Sequence, residues 1–260
     1  MILKFRTLAF DSAGDLARLY FSFDMKKHGA YQFTPGGDVQ ETVRQVNNYP
    51  GAIERLNMLV RRLKNFRKAG MEIVFTAHED VEKLYLKGSG IATKGQPAQE
   101  PYALKGWADI PGKRAPDEFG RAVDNLFHVR RVNGKPCWIA CRESIGPGCE
   151  WDVKDRFNAL VLNNGYLPNS YGELTKLASS NPLCNWRPPY LWLLYGALGI
   201  GKTRSLQTFP GPIRLFDFDR GSSVLSEGEK QACQMEVIEY DPEESDDYSR
   251  FLGDLEACMP

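Results

Sequence analysis

The segment from Gly196 to Thr203, with the sequence Gly-Ala-Leu-Gly-Ile-Gly-Lys-Thr, has the residue types and spacing of a phosphate-binding loop. Its glycines let the backbone curl until successive N–H groups point at phosphate oxygens. In such a loop Lys202 reaches the β- and γ-phosphates, and the Thr203 hydroxyl is a ligand for Mg²⁺. A helix beginning near Lys202 would add the positive end of its dipole. The alternative is a chance match in a glycine-rich turn.

The predicted ligand of this loop is a nucleoside triphosphate, and the predicted metal cofactor is Mg²⁺. We expect the loop and the residue after it to contact the nucleotide. These residues are Gly196, Ala197, Leu198, Gly199, Ile200, Gly201, Lys202, Thr203 and Arg204. Because Mg²⁺ takes oxygen ligands and is often held by one or two carboxylates, a further ligand must come from elsewhere in the chain.

A second Mg²⁺ ligand would be a carboxylate that ends an apolar strand. Asp11 closes the apolar run TLAF near the start of the chain. Asp217 follows the phosphate loop, but the space between them holds only a short helix and one strand, and that strand better suits the second strand of the domain. We therefore predict Asp11 and Thr203 as the metal ligands. The alternative for Asp11 is a polar residue that merely ends a strand.

Apolar runs and amphipathic segments alternate along the chain, which indicates an α/β fold. A mostly parallel central sheet flanked by helices is predicted, in a single domain that spans residues 1–260. The predicted strands are 4–10, 71–76, 190–195, 213–218 and 234–240, and the predicted helices include 13–23 and 51–68, the second beginning at Pro50. A hairpin is predicted over 126–143, because Asn133-Gly134 suits a type I′ turn. Residues 86–116 are predicted to be a long loop, and residues 176–189 a linker.

The composition is that of a globular protein. The 260 residues carry 33 Lys and Arg against 33 Asp and Glu, but the part after residue 203 is acidic and the rest is basic. A basic surface is compatible with nucleic acid without requiring it. With no apolar run near 20 residues and no cleavage site at the N-terminus, we expect a cytoplasmic protein with no membrane partner.

Six cysteines are present, and none forms a CxxC pair. Cys137, Cys141 and Cys149 form the single cluster, and the nearest histidine is His128. A structural zinc site needs four ligands and usually closer pairs. Free thiols in a reducing compartment are therefore the prediction.

Taken together, five segments resemble the RecA-like P-loop ATPases, and in particular compact phage-type nucleotide-binding proteins related to single-strand annealing ATPases. The segments are YGALGIGKT, FDFDRG, TLAFDS, IVFTAHED and CEWDVKDR, and they cover most of the chain. The resemblance implies the three-layer RecA-like sandwich. In that family the segments occur in this order, whereas here the first two come last. The chain is therefore predicted to be circularly permuted, with 1–175 carrying the Mg²⁺-carboxylate strand, the sensor strand and the hairpin, and 190–260 carrying the phosphate loop. The alternative is an unpermuted fold with a late phosphate loop.

The resemblance also implies roles for residues outside the loop. The strand 71–76 should lie between the strand of Asp11 and the strand of the phosphate loop, which brings Thr76 and His78 near the γ-phosphate. His78 matches a polar sensor. Asp219 matches the acidic residue that orients or deprotonates the attacking water, in preference to Asp217, although glutamate is commoner there. Lys154 and Arg156 match basic residues offered to a neighbour's nucleotide, with a surface charge cluster as the alternative.

The same resemblance suggests that residues 79–116 contact single-stranded DNA. This segment holds six basic residues and three aromatic residues on which bases could stack: Lys83, Lys87, Lys94, Lys105, Lys113, Arg114, Tyr85, Tyr102 and Trp107. Five acidic residues accompany them, so the segment is not an electrostatic funnel.

The function expected from this reading is Mg²⁺-dependent ATP binding with slow hydrolysis, used in DNA recombination, repair or single-strand annealing by a homo-oligomer. Lys202, Asp219 and His78 are the predicted catalytic residues. Two alternatives remain open: a small-molecule or nucleotide kinase, and a module that binds ATP and DNA without hydrolysis. A kinase would need an arginine-rich lid, and no compact arginine cluster follows the phosphate loop.

Overall fold

A computed structural model gives the fold of the protein and describes residues 4–28, 41–84, 103–111, 115–140 and 149–259. Parts of the predicted DNA-contacting segment (85–102 and 112–114) lie outside the described residues, as does 141–148 with Cys141. Within the described ranges, no helix has both the length and the apolar character needed to cross a lipid bilayer.

Ten strands and seven α-helices make up the described part of the chain. The strands are β1 Thr7–Asp11, β2 Glu72–Leu84, β3 Ala103–Ala108, β4 Asn125–Val132, β5 Lys135–Ile139, β6 Cys149–Trp151, β7 Tyr166–Pro168, β8 Leu191–Gly196, β9 Ile213–Asp217 and β10 Met235–Glu239. The helices are α1 Ala13–His28, α2 Glu41–Lys68, α3 Ala115–Ala122, α4 Tyr171–Ser180, α5 Lys202–Leu206, α6 Glu227–Ala232 and α7 Ser245–Glu256.

The central sheet is mixed but mostly parallel. Its strands follow the order β10-β9-β1-β2-β8-β4-β5-β7, and the first six are parallel to one another. β5 and β7 extend it by antiparallel pairs, while β3 pairs with the far end of β2 and with β6. Strands from 1–175 and from 190–260 therefore share one sheet. The predicted α/β class and mostly parallel sheet are confirmed.

Alternate side chains of each central strand point to opposite faces of the sheet, and apolar residues occupy both faces. In β8, Leu191, Leu193 and Tyr195 join one core with residues of α1, α2, α3 and α7. Trp192 and Leu194 join the other core with residues of α4 and α5. Helices thus cover the sheet on both sides, an arrangement compatible with a three-layer α/β fold.

The predicted position of the strand 71–76 is confirmed. β2 lies between β1 and β8, parallel to both, with Ile73 opposite Leu8 on one side and Leu191 on the other. Because these strands run in the same direction, their carboxyl ends lie at one edge of the sheet. That edge carries the candidate functional residues.

Two predicted boundaries of irregular segments were wrong. β2 does not end near residue 76 but continues to Leu84, where its outer half pairs antiparallel with β3. The segment 79–116, predicted to contact DNA, therefore contains a strand pair, and β3 lies inside the predicted loop 86–116, whose composition rich in Gly, Pro and Lys did not indicate a strand. The predicted linker 176–189 begins inside α4, because Tyr171, Leu174 and Ala178 form a buried helical stripe.

The second helix also differs from its prediction. α2 begins at Glu41, well before Pro50, so the proline lies inside the helix rather than at its start. The hairpin of β4 and β5, in contrast, is confirmed over the described residues. Asn133 and Gly134 form its turn, with φ of 52° and 77°. Positive φ at both positions is the type I′ geometry that this dipeptide favours.

Candidate functional site

The candidate site lies at the edge of the sheet where three parallel strands, β9, β1 and β8, end and where β2 passes between β1 and β8. β1 ends at Asp11, β9 ends at Asp217, and β8 runs directly into the phosphate loop at Gly196. His78 of β2 is level with Gly196, and Asp217 is level with Asp11. Ligands of open α/β sheets bind at this edge, because the loops after successive strands converge there.

The backbone of the phosphate loop depends on its glycines. Gly199 and Gly201 have φ of 71° and 101°, a region that side chains with a Cβ rarely adopt. At Gly196 a Cβ would lie 2.3 Å from the carbonyl oxygen of Val129 on β4, so only glycine fits between these strands. The following helix, α5, has only five residues.

Lys202 is held inside the loop rather than extended into solvent. Its side chain is buried, and Nζ donates hydrogen bonds of 2.9 Å to the carbonyl oxygens of Gly196 and Ala197. Burial lowers the pKa of Lys202, and the nearby carboxylates of Asp11 and Asp219 oppose that effect. The ammonium is therefore held against the carbonyl oxygens at the start of the loop.

Asp11 lies directly against the phosphate loop. The Thr203 hydroxyl donates to Asp11 Oδ2 at 2.6 Å, and the Thr76 hydroxyl donates to Oδ1. Burial and the negative charge of Asp219 raise the pKa of Asp11 to about 6, against the opposing effect of the two hydroxyl donors. Such a carboxylate is stabilised in its charged form by a cation beside it.

Asp219 and His78 face each other across the edge of the sheet. His78 Nε2 lies 3.3 Å from Asp219 Oδ2. Burial disfavours the charged carboxylate, but hydrogen bonds from His78 and from the Gly221 amide outweigh it and hold the pKa of Asp219 below its ordinary value. Asp219 therefore carries a negative charge at neutral pH, as a proton acceptor requires.

Asp217 is used differently, although it lies in the same strand. Its carboxylate is fully buried and accepts hydrogen bonds from the backbone amides of Asp219, Gly221 and Ser222. These bonds shape the turn after β9 and leave Asp219 directed at the site. Of the two carboxylates, Asp219 is the one that lines the pocket over the loop.

The backbone at Gly221 passes close to the side chains of Asp11, Asp219 and Thr203. A Cβ there would lie 2.6 Å from Asp11 Oδ2, 2.8 Å from Asp219 Oδ1 and 3.1 Å from Thr203 Oγ1. The absence of a side chain at residue 221 is therefore what allows the three polar groups to converge. Gly221 is the last residue of the segment FDFDRG, and no role was predicted for it from the sequence.

A pocket of about 510 Å³ opens over the phosphate loop. Its walls come from the loop, from the end of β1, from the middle of β2, from the turn after β9, and from the β4–β5 hairpin with the residue after β7. The lining residues are Asp11, His78, Arg131, Pro136, Asn169, Leu198, Gly199, Ile200, Gly201, Lys202, Thr203, Arg204, Asp219, Gly221 and Val224.

Carboxylate oxygens in and beside this pocket lie close enough together that they could hold a divalent cation. Asp11, Asp217 and Asp219 each offer a carboxylate oxygen within 4.8 Å of the others, and the Thr203 hydroxyl adjoins Asp11. Oxygen donors of this kind suit Mg²⁺. A second group, Asp15, His78 and Asp219, is equally close, but Asp15 is already ion-paired with Arg18 at 2.7 Å. Asp11 and Thr203, the predicted metal ligands, are therefore adjacent and could hold such an ion together.

Besides Gly221, four residues of the pocket wall were not predicted: Arg131, Pro136, Asn169 and Val224. The first three come from β4, from β5 and from the residue after β7, which lie far from the loop in sequence. No local motif marks them, and only the pairing of the hairpin with β7 brings them to the site.

The basic residues predicted to serve a neighbouring nucleotide have partners within the chain. Lys154 Nζ donates to carbonyl oxygens at the end of α3, including that of Arg121 at 2.8 Å. Arg156 pairs with the buried Asp124 at 2.8 Å, at the amino end of β4. Both therefore lie at the sheet edge opposite the phosphate loop and stabilise the fold there.

Of the side chains predicted to contact DNA, those of Lys105 and Trp107 are described. They project from β3, and Lys105 Nζ lies 5.9 Å from the centre of the Trp107 ring. Among the cysteines with described side chains, Cys137, Cys184, Cys233 and Cys258 are free thiols. This agrees with the prediction of free thiols for those four.

Comparison of the chain with protein-family models, with curated proteins and with solved structures gave no match. The functional conclusion therefore depends on the geometry of the site.

Proposed function

We propose that this protein binds ATP with Mg²⁺ at the phosphate loop and hydrolyses it slowly. The single observation that carries the proposal is the hydrogen bond between Asp11 and Thr203, 2.6 Å long, beside the buried ammonium of Lys202. A carboxylate, a hydroxyl and an ammonium at one glycine-rich loop are the groups that phosphoryl transfer from a nucleoside triphosphate requires.

The binding step uses groups that are already in place. The backbone amides of the loop and the Lys202 ammonium would hold the phosphates, and Asp11 with Thr203 would hold the metal. When bound, Mg²⁺ neutralises negative charge on the phosphate oxygens. Because two loop carbonyls already restrict the Lys202 side chain, we expect it to lose little further conformational entropy when a nucleotide binds.

The hydrolytic step would use the pair of Asp219 and His78. Asp219 is ionised and accepts a hydrogen bond from the water that attacks the terminal phosphate. His78 holds the Asp219 carboxylate in that direction. An aspartate reaches less far than a glutamate, and strong hydrogen bonding lowers its basicity, so we expect turnover to be slow.

The proposal assigns this ATPase to DNA recombination, repair or single-strand annealing. Support for the DNA partner comes from the resemblance of the motifs and from Lys105 and Trp107, a cation and a ring on one strand beyond the site. β2 connects β3 to the site directly, because β2 carries His78 and its outer half, Glu79–Leu84, pairs with β3.

Calorimetric titration with MgATP tests the proposal. Wild type should bind, Lys202→Ala should lose at least tenfold in affinity, and Lys176→Ala, which removes an exposed lysine of α4, should bind as wild type does. Release of inorganic phosphate, measured with and without single-stranded DNA, tests hydrolysis and the DNA partner. A wild-type chain that binds no MgATP would refute the proposal, and phosphate recovered on an acceptor would indicate a kinase instead.

A further inference from the structure

Three residues form a row across the sheet beside the phosphate loop. Arg131 of β4 is paired with Pro136 of β5, and Cys137 of β5 is paired with Pro168 of β7. Because β5 and β7 are antiparallel, Asn169, the residue after β7, comes level with Pro136. Residues level with each other in a sheet point to the same face.

The face to which this row points follows from its apolar neighbours. The residues two positions away on the same strands, toward the middle of the sheet, are Val129, Trp138 and Leu167. They belong to the core that also contains Leu206 of α5. Side chains two residues apart in a strand share a face. Arg131, Pro136 and Asn169 therefore extend this core face beyond the end of the sheet, where it becomes the pocket wall.

Arg131 is exposed within this wall, and no acidic side chain among the residues that the structure describes pairs with its guanidinium. Arg130, its neighbour on the opposite face, does not line the pocket. The acidic groups of the pocket, Asp11 and Asp219, belong to β1 and to the turn after β9. These elements lie on the other side of β8 from the hairpin.

Asn169 supplies a second observation at the same wall. Its side-chain oxygen is buried and has no hydrogen-bond partner among the described residues. The other end of the carboxamide lies beside Gly201, 4.0 Å from where a Cβ would stand. A buried polar group without a partner is costly unless a ligand or water satisfies it, so the wall is suited to a polar ligand.

We propose that Arg131 is a nucleotide-binding residue that contacts a phosphate of the ligand held by the phosphate loop of its own chain. The inference rests on the proposed function. With the metal that Asp11 would hold on one side and the Arg131 guanidinium on the other, the phosphate chain would lie between two positive charges. The guanidinium fork matches the oxygens of a phosphate, whereas the neutral faces of Pro136 and Asn169 leave room for it.

Titration with MgATP, MgADP and adenosine tests this assignment. Arg131→Ala should weaken binding of MgATP and MgADP about tenfold to a hundredfold, as the loss of a charge-assisted hydrogen bond predicts, and should leave adenosine binding within twofold. Arg131→Lys should recover only part of the loss, because lysine keeps the charge without the fork. Lys135→Ala removes a cation from the same hairpin on its other face and should bind as wild type does.

The outcomes separate this inference from the proposed function. If wild type binds MgATP and Arg131→Ala binds it equally well, the Arg131 assignment is wrong and the proposed function stands. If wild type binds no nucleotide, both fail. An equal loss for adenosine would overturn the phosphate contact. Recovery of MgATP binding when Arg131→Ala is mixed with Lys202→Ala would show that Arg131 serves another chain, and would overturn the contact within one chain.

Discussion

Asp11 and Thr203 are separated by 192 positions in the chain and share a hydrogen bond of 2.6 Å. Their contact joins the first strand of the fold to the helix after the phosphate loop. Asp11→Asn removes the charge that would hold Mg²⁺ but keeps the size of the side chain. We expect the variant to lose the Mg²⁺-dependent part of its ATP affinity, by roughly one to two orders of magnitude. Titration with ATP in Mg²⁺ and in chelator measures that difference.

The matched control for Asp11→Asn is Asp117→Asn, which removes an exposed carboxylate in the first turn of α3. It should show the same response to Mg²⁺ as wild type. If Asp11→Asn retained the full Mg²⁺ effect, Asp11 would not be a metal ligand, and the hydrogen bond to Thr203 would be only structural.

Asp219 should affect turnover more than binding. Asp219→Asn removes the proton acceptor, and we expect kcat to fall by about two orders of magnitude or more while MgATP affinity changes a few-fold. His78→Ala should give a smaller decrease, about tenfold, because it removes only the group that holds the Asp219 carboxylate. Steady-state phosphate release measures both. Equal kcat in Asp219→Asn and wild type would exclude Asp219 as the base.

Gly221, in the turn after β9, and Gly228, in α6, form a matched pair of glycines. Gly221→Ala would place a Cβ within 2.6 Å of Asp11 Oδ2 and 2.8 Å of Asp219 Oδ1, and should separate these groups. We expect about tenfold weaker MgATP binding and a stability loss of about 1–3 kcal/mol.

Gly228 lies exposed in α6, and a Cβ there would meet no atom within 4 Å. Gly228→Ala should therefore leave MgATP binding unchanged and raise stability by up to about 1 kcal/mol, since alanine favours the helix. Chemical denaturation and calorimetry of the two variants make the comparison. Similar behaviour of both variants would contradict the close approach described at Gly221.

Glu72 should make stability depend on pH. It lies buried at the start of β2, where it accepts hydrogen bonds from the Tyr171 hydroxyl at 2.5 Å and from the Trp192 indole at 2.8 Å. Burial raises the pKa of Glu72 above its ordinary value of 4.5, and these bonds only partly oppose the effect. The folded state therefore holds the proton of Glu72 more tightly than the unfolded state does. The free energy of unfolding falls as the pH rises from about 4.5 to the folded pKa.

Glu72→Gln removes this titration. The difference in unfolding free energy between wild type and the variant should therefore become less favourable to wild type from about pH 4.5 upward, and should then level off above the folded pKa. Urea denaturation at a series of pH values measures the difference. A constant difference across that range would show that Glu72 has the same pKa in the folded and unfolded chain.

Contiguous features of the chain were predictable from the sequence. The phosphate loop depends on glycines within eight consecutive positions, and its positive φ values at Gly199 and Gly201 follow from them. The turn at Asn133-Gly134 is likewise a local property. The outer half of β2 was not predicted, because its stability comes from pairing with β3, which the composition of that segment does not reveal.

The amino-acid sequence by itself indicated the apolar strands and the glycine-rich turn over 196–203, and it singled out Asp11 as the candidate carboxylate to pair with that turn. The tertiary structure decided which groups meet: His78 with Asp219, Asp217 with the amides of its own turn, and Arg131 with the pocket wall. The physical reason is strand register. Register is fixed by the packing of both sheet faces at once, so it links residues whose separation in sequence carries no local signal.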